Sequence, residues 1–248
     1  EGLYEDQENS EELLNLARFH TTVEEEGQVS LADYVARMKP GQEHIYYLTG
    51  ESPARVKQSP HLEAFRDKGY EVLLLSDPVD ELWTGMPVAY KEFKFQSAAR
   101  GLADLGTEEE RKEAESTRKD QEKAHGGLLE CLKNHLAEYV KEVRLSGRLT
   151  SSAVCLVTDT GDMSPQMERM FKAMGQEMPT AKRILEINPN HPLLDNLQQV
   201  YDADAAAEAL KDYARLLYGQ AIIAEGGQLP EPGEFAQLVA NLMVQATK

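Results

Sequence analysis

The chain has 248 residues, of which 41% are hydrophobic and 28% are charged, a composition typical of a globular protein that can build a core. Its formal net charge of −17 argues against nonspecific binding to nucleic acid or to anionic membranes. No apolar run approaches the roughly 20 residues that a membrane span needs. The two cysteines, Cys131 and Cys155, are far apart and favour a reducing, cytoplasmic compartment.

The first hundred residues predict a small α/β unit. Two helices are predicted first, one from Ser10 and one that Ser30 opens with a capping-box-like sequence. The remaining elements are a strand at His44–Thr49, a helix that starts at Ser52-Pro53, a helix at Leu62–Lys68 and a strand at Tyr70–Leu75. Two strands separated by helices within about 30 residues indicate a βαβ unit with parallel strands.

Residues 107–123 contain no large apolar side chain, which predicts a solvated helical connector. The elements predicted after it are a helix at Leu128–Val140, strands at Val143–Leu145, Ala153–Thr158 and Arg183–Ile187, and helices at Ala205–Ala224 and Glu234–Ala246. We therefore predict an α+β fold with two domains, residues 1–105 and 127–248, joined by a connector at residues 106–126. The second domain is predicted to end in a helical bundle.

Motifs that would indicate catalysis are absent from the sequence. It contains no glycine-rich phosphate loop, no GxSxG and no HExxH, and its six histidines show no ligand spacing. We predict no catalytic residue and no metal ligand. An alternative function is a ligand-regulated small-molecule binding domain, for which Thr49–Ser52 is the candidate polar turn. We interpret that turn as a helix cap.

Methionine is concentrated in the stretch from Asp162 to Met174, which reads DMSPQMERMFKAM and holds four of the eight methionines. Ser164-Pro165 predicts the start of a helix that runs to about Met174. At about 100° per residue, the apolar residues fall on one face, and Met163 extends it; these residues are Met163, Met167, Met170, Phe171 and Met174. The face is either core or an adaptable binding surface, and periodicity does not decide between the two.

Four blocks of sequence resemble the heat-shock protein 90 chaperones, and the bacterial branch, high-temperature protein G, resembles the chain most. The blocks read SLADYVARMKPGQEHIYYLTGES (Ser30–Ser52), EVLLLSDPVDE (Glu71–Glu81), DMSPQMERM (Asp162–Met170) and LEINPNHPLL (Leu185–Leu194). The resemblance implies the end of the family's middle domain, to about Gly106, followed by its C-terminal dimerization domain. We therefore expect a piece of a longer protein, in agreement with a first residue that is Glu1 rather than Met.

The resemblance also implies the activity and the partners. The family's ATP- and magnesium-binding domain lies outside the resembling region, so we expect no cofactor and no ATPase activity in this piece. We expect a cytoplasmic homodimer that binds non-native client proteins and co-operates with another chaperone system. Nucleic acid and membranes are not expected partners.

Two client-binding patches follow from the resemblance. The first is the methionine helix, where the matching apolar positions are Met163, Met167, Met170 and Phe171, and we expect these side chains to be exposed. The second is at Glu81, Leu82 and Gly85. There Leu82 occupies the position of a tryptophan in a bacterial relative, and Trp83 is one residue later. Trp83 either joins this patch or lies in the core.

Dimerization is predicted on the last two helices. Their apolar faces consist of Leu210, Tyr213, Ala214, Leu217 and Ala221 in the first helix and of Phe235, Leu238, Leu242 and Ala246 in the second. Pairing with the same helices of a second chain would form a four-helix bundle. The alternative is that both faces pack on the domain's own sheet.

Overall fold

The computed structural model describes residues 2–6, 8–24, 27–101, 105–176 and 181–247. The chain forms two compact units, which are Glu1–Lys112 with Thr158–Ala181, and Glu113–Val157 with Lys182–Lys248. This grouping differs from the predicted division along the chain, which placed residues 158–181 in the C-terminal domain.

Helices and strands alternate irregularly in an α+β arrangement, as predicted. The helices are α1 (Gly2–Glu5), α2 (Ser10–Leu16), α3 (Leu31–Ala36), α4 (Pro53–Val56), α5 (Glu63–Asp67), α6 (Asp80–Thr84), α7 (Glu108–Ala124), α8 (Gly126–His135), α9 (Pro165–Ala173), α10 (Pro192–Ala203), α11 (Glu208–Ala224) and α12 (Pro232–Ala246). The strands are β1 (His20–Thr21), β2 (His44–Thr49), β3 (Leu73–Leu75), β4 (Ala89–Tyr90), β5 (Phe93–Ser97), β6 (Val140–Leu145), β7 (Val154–Val157) and β8 (Arg183–Ile187).

The first unit is built on a sheet with the strand order β1-β3-β2-β5-β4. β2 is parallel to both β3 and β5, which confirms the predicted βαβ unit. The buried run of β2 from Ile45 to Leu48 contributes to core on both faces of the sheet, because its side chains alternate between two apolar clusters. The predicted capping box is also confirmed, since the Ser30 hydroxyl accepts from the backbone of Asp33.

Short elements of the first unit escaped prediction. These are the strands β1, β4 and β5 and the helices α1 and α6. β1 and β4 have two residues each, too few for a recognisable alternation. α6 has five residues, and its apolar residues Leu82 and Trp83 are adjacent rather than at helical spacing.

In the second unit, helices pack on a three-stranded sheet of order β6-β8-β7. β6 is parallel to β8, and β7 is antiparallel to β8. Its core joins side chains of α8, α10 and α11 to the strands, with Leu132, Leu185 and Leu210 fully buried. β8 has the predicted bounds, whereas α8 ends at His135 rather than at Val140, where β6 begins.

A buried ion cluster joins β6, the following turn and β8. Glu186 is fully buried and accepts from Arg144 Nη2 at 2.8 Å and from Arg148 Nε at 2.9 Å. The Ser146 hydroxyl donates to the same carboxylate at 2.8 Å. Burial alone would raise the pKa of Glu186, but Arg148 and Arg144 outweigh it and hold the pKa below its ordinary value. Sequence reasoning missed this cluster because carboxylates are too abundant for one of them to stand out.

α7 confirms the predicted charged helix, since none of its residues is buried. Its charges pair along the helix, as between Lys112 and Glu108 at 2.6 Å and between Lys119 and Glu115 at 2.6 Å. Pairs four residues apart stabilise an exposed helix by a few tenths of a kcal/mol each, about 0.3–0.5 kcal/mol.

Candidate functional site

The methionine helix α9 begins where the sequence predicts. Ser164 is its N-cap residue, with φ −69° and ψ 153°, and its hydroxyl accepts from the backbone N–H of Met167 at 3.1 Å. Pro165 occupies the first helical turn, where its missing N–H costs nothing. The helix ends after Ala173, and Met174 follows as its C-cap.

The apolar face of α9 lies at the surface rather than in a core cluster. No residue of the helix is buried, and Met174 is 58% exposed. Met163, Met167, Met170 and Phe171 are half-buried, so they are less exposed than expected from the resemblance. Because these side chains are only partly accessible to water, one side of the apolar face packs against a neighbouring element.

That neighbouring element is α6, which carries the second predicted patch. Leu82 is half-buried and Gly85 is exposed, so both lie at the surface. Glu81 is only 7% exposed, and its carboxylate is turned towards α9. A direct contact between Glu81 and a client, implied by the resemblance, does not fit this burial.

Trp83 belongs to the core, the second of the two alternatives that the sequence left open. Its side chain is 1% exposed and lies edge-on to Phe95, with 5.2 Å between ring centroids. Its Nε1 donates to Asp80 Oδ1 at 2.9 Å. Burial raises the pKa of the Asp80 carboxyl, although this hydrogen bond opposes the shift. The Trp83 side chain therefore packs in the core of the first unit and does not contribute to a binding patch.

Two contacts bring the patches together in the first unit. The Ser164 hydroxyl donates to Glu81 Oε2 at 2.5 Å. A methyl group placed on Gly85 would lie 3.8 Å from Cε of Met167, so the methionine side chain packs over the glycine. Gly85 of the second patch is therefore in contact with the methionine face, and sequence distance gave no signal of this contact.

A polar contact flanks the combined surface. Arg169 Nη1 lies 3.7 Å from Glu51 Oε1, and both side chains are about half exposed. Glu51 precedes Ser52, whose hydroxyl accepts from Arg55 N and caps α4. This confirms the interpretation of the turn at Thr49–Ser52 as a helix cap.

The apolar face predicted for α11 packs in the core of its own unit. Leu210, Ala214 and Ala221 are fully buried and Leu217 is 3% exposed, while Tyr213 is half-buried against the same core. α11 makes these contacts with β7 and α8. Leu210, Leu217 and Ala221 therefore pack in the core of their own unit, which is the alternative to a dimer interface that the sequence left open.

The apolar face predicted for α12 is only partly turned inward. The ring of Phe235 crosses α11 at Gly219, where a Cβ would lie 2.4 Å from Cδ2 of Phe235. Leu238 is also turned inward at 9% exposure, whereas Leu242 is half-buried. Sequence reasoning missed the most exposed apolar side chains of the second unit, which are Ile223 at 50%, Met243 at 64% and Val244 at 56%. The run of three consecutive apolar residues at Leu242–Val244 was the available signal.

A cleft lies between α11 and α12. Tyr139, Tyr218 and Leu229 line it, and the ion pair of Arg215 with Glu234 closes one side. In the described ranges, no three His, Cys, Asp or Glu side chains converge as metal ligands. Nor does any helix in the described part of the chain have the length and apolar character to cross a membrane.

Comparison with known proteins places the chain in a family. The family model described as Hsp90 protein matches residues 1–248. The chain is similar to "Chaperone protein HtpG" of Rhodococcus jostii, with 51% identity over 99% of this chain and 38% of the relative. The proteins of the same name from Mycobacterium leprae and Frankia casuarinae are 50% and 47% identical over 98% and 99% of this chain.

The chain belongs to the Hsp90 family. Its bacterial relatives carry the name of chaperones, and the chain spans 38% of the length of each. This confirms the family resemblance drawn from the four sequence blocks.

Proposed function

We propose that this chain is the part of a chaperone that forms a homodimer and binds non-native client proteins. The chain spans 38% of the length of these relatives. That it acts as a chaperone, as their name says, is therefore our proposal. The observation that carries the proposal is the packing of Met167 over Gly85, which joins both predicted client-binding patches into one surface.

The chemistry of this surface suits varied partners. Unfolded proteins present apolar segments of many shapes, and methionine adapts to them because its side chain is unbranched and polarizable. A contiguous apolar patch on a protein surface ordinarily marks a binding site. We propose the client surface to consist of Met163, Met167, Met170, Phe171, Met174, Leu82 and Gly85.

The test is the suppression of aggregation of an unfolded model protein. Replacing Met167 and Met170 together with serine should reduce suppression several-fold and leave the melting temperature nearly unchanged, because both side chains are only half-buried. The matched control replaces Leu16 and Val23, exposed at 75% and 60%, with serine and should suppress aggregation normally. Equal suppression by both variants would refute the client surface, and a large fall in melting temperature in the methionine variant would assign the stripe to the core.

We propose that the homodimer forms through the exposed side of α12, in place of the face first predicted. Leu242, Met243 and Val244, with Ile223 of α11, supply the apolar side chains of this interface. A two-fold axis would bring the same patch of each chain together, which suits a self-complementary apolar strip.

Light scattering of the purified chain tests the dimer. The wild type should have twice the chain mass of 27.7 kDa at micromolar concentration. Replacing Leu242 and Met243 with aspartate should give a monomer, because unpaired charges in an apolar interface are costly to desolvate. The control with aspartate at the exposed positions Gln237 and Asn241 should remain a dimer. A dimeric Leu242→Asp, Met243→Asp variant would exclude this interface.

ATP and magnesium, in this proposal, bind to a part of the longer protein outside this chain. Addition of both should then leave the affinity of the chain for an unfolded protein unchanged. The two cysteines form no disulfide, which suits the reducing cytoplasm that we propose as the site of action.

A further inference from the structure

Glu81 is a residue of α6, and its carboxylate is buried. Its exposed fraction is 7%, and Oε2 accepts a hydrogen bond from the Ser164 hydroxyl at 2.5 Å. The other oxygen, Oε1, is buried and has no hydrogen-bond partner among the described residues. A carboxylate in this position cannot touch a client unless α9 moves, so any influence that it has on binding passes through α9.

Ser164 connects this carboxylate to the start of α9. Its hydroxyl oxygen accepts from Met167 N at 3.1 Å, and its hydroxyl hydrogen is donated to Glu81. The carboxylate therefore lies near the N-terminal end of a nine-residue helix, where the helix dipole favours negative charge. One serine side chain thus serves as the helix cap and as the link to α6.

The rest of α9 is only partly buried, and its Glu168 Oε1 accepts from Ala181 N at 3.0 Å. No residue between Pro165 and Ala173 is buried, whereas Ser164 is 8% exposed. The ion pair of Arg169 with Glu51 is about half exposed on both sides, and pairs of this kind contribute little. The hydrogen bond between Ser164 and Glu81 is accordingly a buried anchor for a helix whose own residues are all partly or fully accessible to water.

We propose that Glu81 is a positioning residue, which fixes α9 against α6 through Ser164 and thereby sets the geometry of the methionine face. The role of this anchor in client recognition rests on the function proposed above. With the anchor intact, Met167 is held over Gly85, and the apolar face is ordered before a client arrives. Loss of the anchor leaves the helix to be ordered during binding, which lowers affinity.

Hydrogen exchange of the free chain tests the anchor without any client. In Glu81→Ala, the amides of α9 should exchange about tenfold faster, because a hydrogen bond to a charged group is lost, while amides of β2 keep their rates. Ser164→Gly should have the same effect, since glycine is itself a tolerated N-cap residue. The double variant should exchange no faster than either single variant, because both remove one interaction.

Two further variants complete the exchange experiment. Glu81→Gln should stay close to the wild type, because its amide oxygen can still accept from the Ser164 hydroxyl. Ser52→Gly makes the same change at the cap of α4 and should leave α9 unaffected. Unchanged α9 amides in Glu81→Ala and Ser164→Gly would overturn the proposal, as would equal acceleration of α9 and β2.

Binding of a fluorescently labelled unfolded protein tests the consequence. Glu81→Ala should bind about tenfold more weakly and Glu81→Gln should restore binding, in parallel with the exchange rates. Wild-type affinity in Glu81→Ala would overturn the positioning role. If the wild type does not bind at all, the proposed function fails, while the exchange measurement still decides whether the anchor exists.

Discussion

At the scale of single residues, position in a local helix decides between core and surface. Leu82 and Trp83 are neighbours, yet Leu82 is half-buried at the surface and Trp83 is 1% exposed. Successive residues of a helix point about 100° apart, so a one-residue difference in the sequence places a large aromatic side chain on a different side of the helix. At this place in α6, Leu82 rather than Trp83 therefore lies at the surface.

The emission of Trp83 tests this placement, because it is the single tryptophan of the chain. We expect a blue-shifted maximum that does not move when an unfolded protein without tryptophan is added. Trp83→Ala should lower the free energy of unfolding of the first unit by about 3–5 kcal/mol, as is usual for a buried aromatic side chain. A red-shifted maximum that responds to the client would show that the side chain is at the surface.

Glu186 is the residue with the clearest link between charge and stability. Its pKa is lowered in the folded chain, so the stability that it contributes is present above the ordinary pKa of 4.5 and decreases as the pH falls below that value. Replacing it with glutamine leaves Arg148 buried without its counter-charge, which should cost about 3–5 kcal/mol at neutral pH.

Urea unfolding followed by circular dichroism measures this effect on the second unit. We expect the wild type to lose stability between pH 4.5 and pH 3 and Glu186→Gln to lose less over the same interval. Lys133→Gln is a suitable control, because its pair with Glu130 is exposed. Equal stability of wild type and Glu186→Gln at pH 7 would contradict the account.

At the scale of elements, the crossing of α11 and α12 depends on Gly219. This glycine is buried in α11, and a Cβ there would lie 2.4 Å from Cδ2 and 2.6 Å from Cε2 of Phe235. No real Cβ tolerates such a distance, so a larger residue must displace the ring and with it α12. The glycine therefore fixes which side of α12 faces inward.

Gly219→Ala should destabilise the second unit by about 1–3 kcal/mol, as overpacking does, despite the higher helix propensity of alanine. Gly233→Ala is the matched control, since a Cβ at Gly233 meets no atom within 4 Å. We expect that control to be as stable as the wild type or more so. A Gly219→Ala variant with an unchanged melting temperature would show that Phe235 does not pack on Gly219.

Elements with strong local signals were predictable from the sequence. The β-branched and aromatic run of β2 and the Ser-Pro caps of α4 and α9 gave correct starts because local chemistry determines them. The sequence could not decide where the face of α11 packs, since an apolar stripe suits its own sheet and a second chain equally well. Contacts between distant segments, such as Ser164 with Glu81, have no local signature and were not predictable.

At the scale of the whole molecule, the two units carry different parts of the proposed function. The first unit contains the combined surface of α6 and α9, and the second contains the exposed apolar side of α12. Sequence blocks alone identified the family, because they extend over much of the chain in the right order. They could not show that a segment near residue 165 belongs to the same compact unit as α6.

The central claim is that non-native proteins bind to the methionine face of α9. The most direct measurement is photo-crosslinking from a photoreactive amino acid placed at Met170, with the same group at Val23, exposed at 60%, as the control. We predict crosslinks to an unfolded model protein from position 170, their loss when excess unlabelled unfolded protein competes, and few crosslinks from position 23. Crosslinks of equal yield from both positions, or none from position 170, would contradict the account.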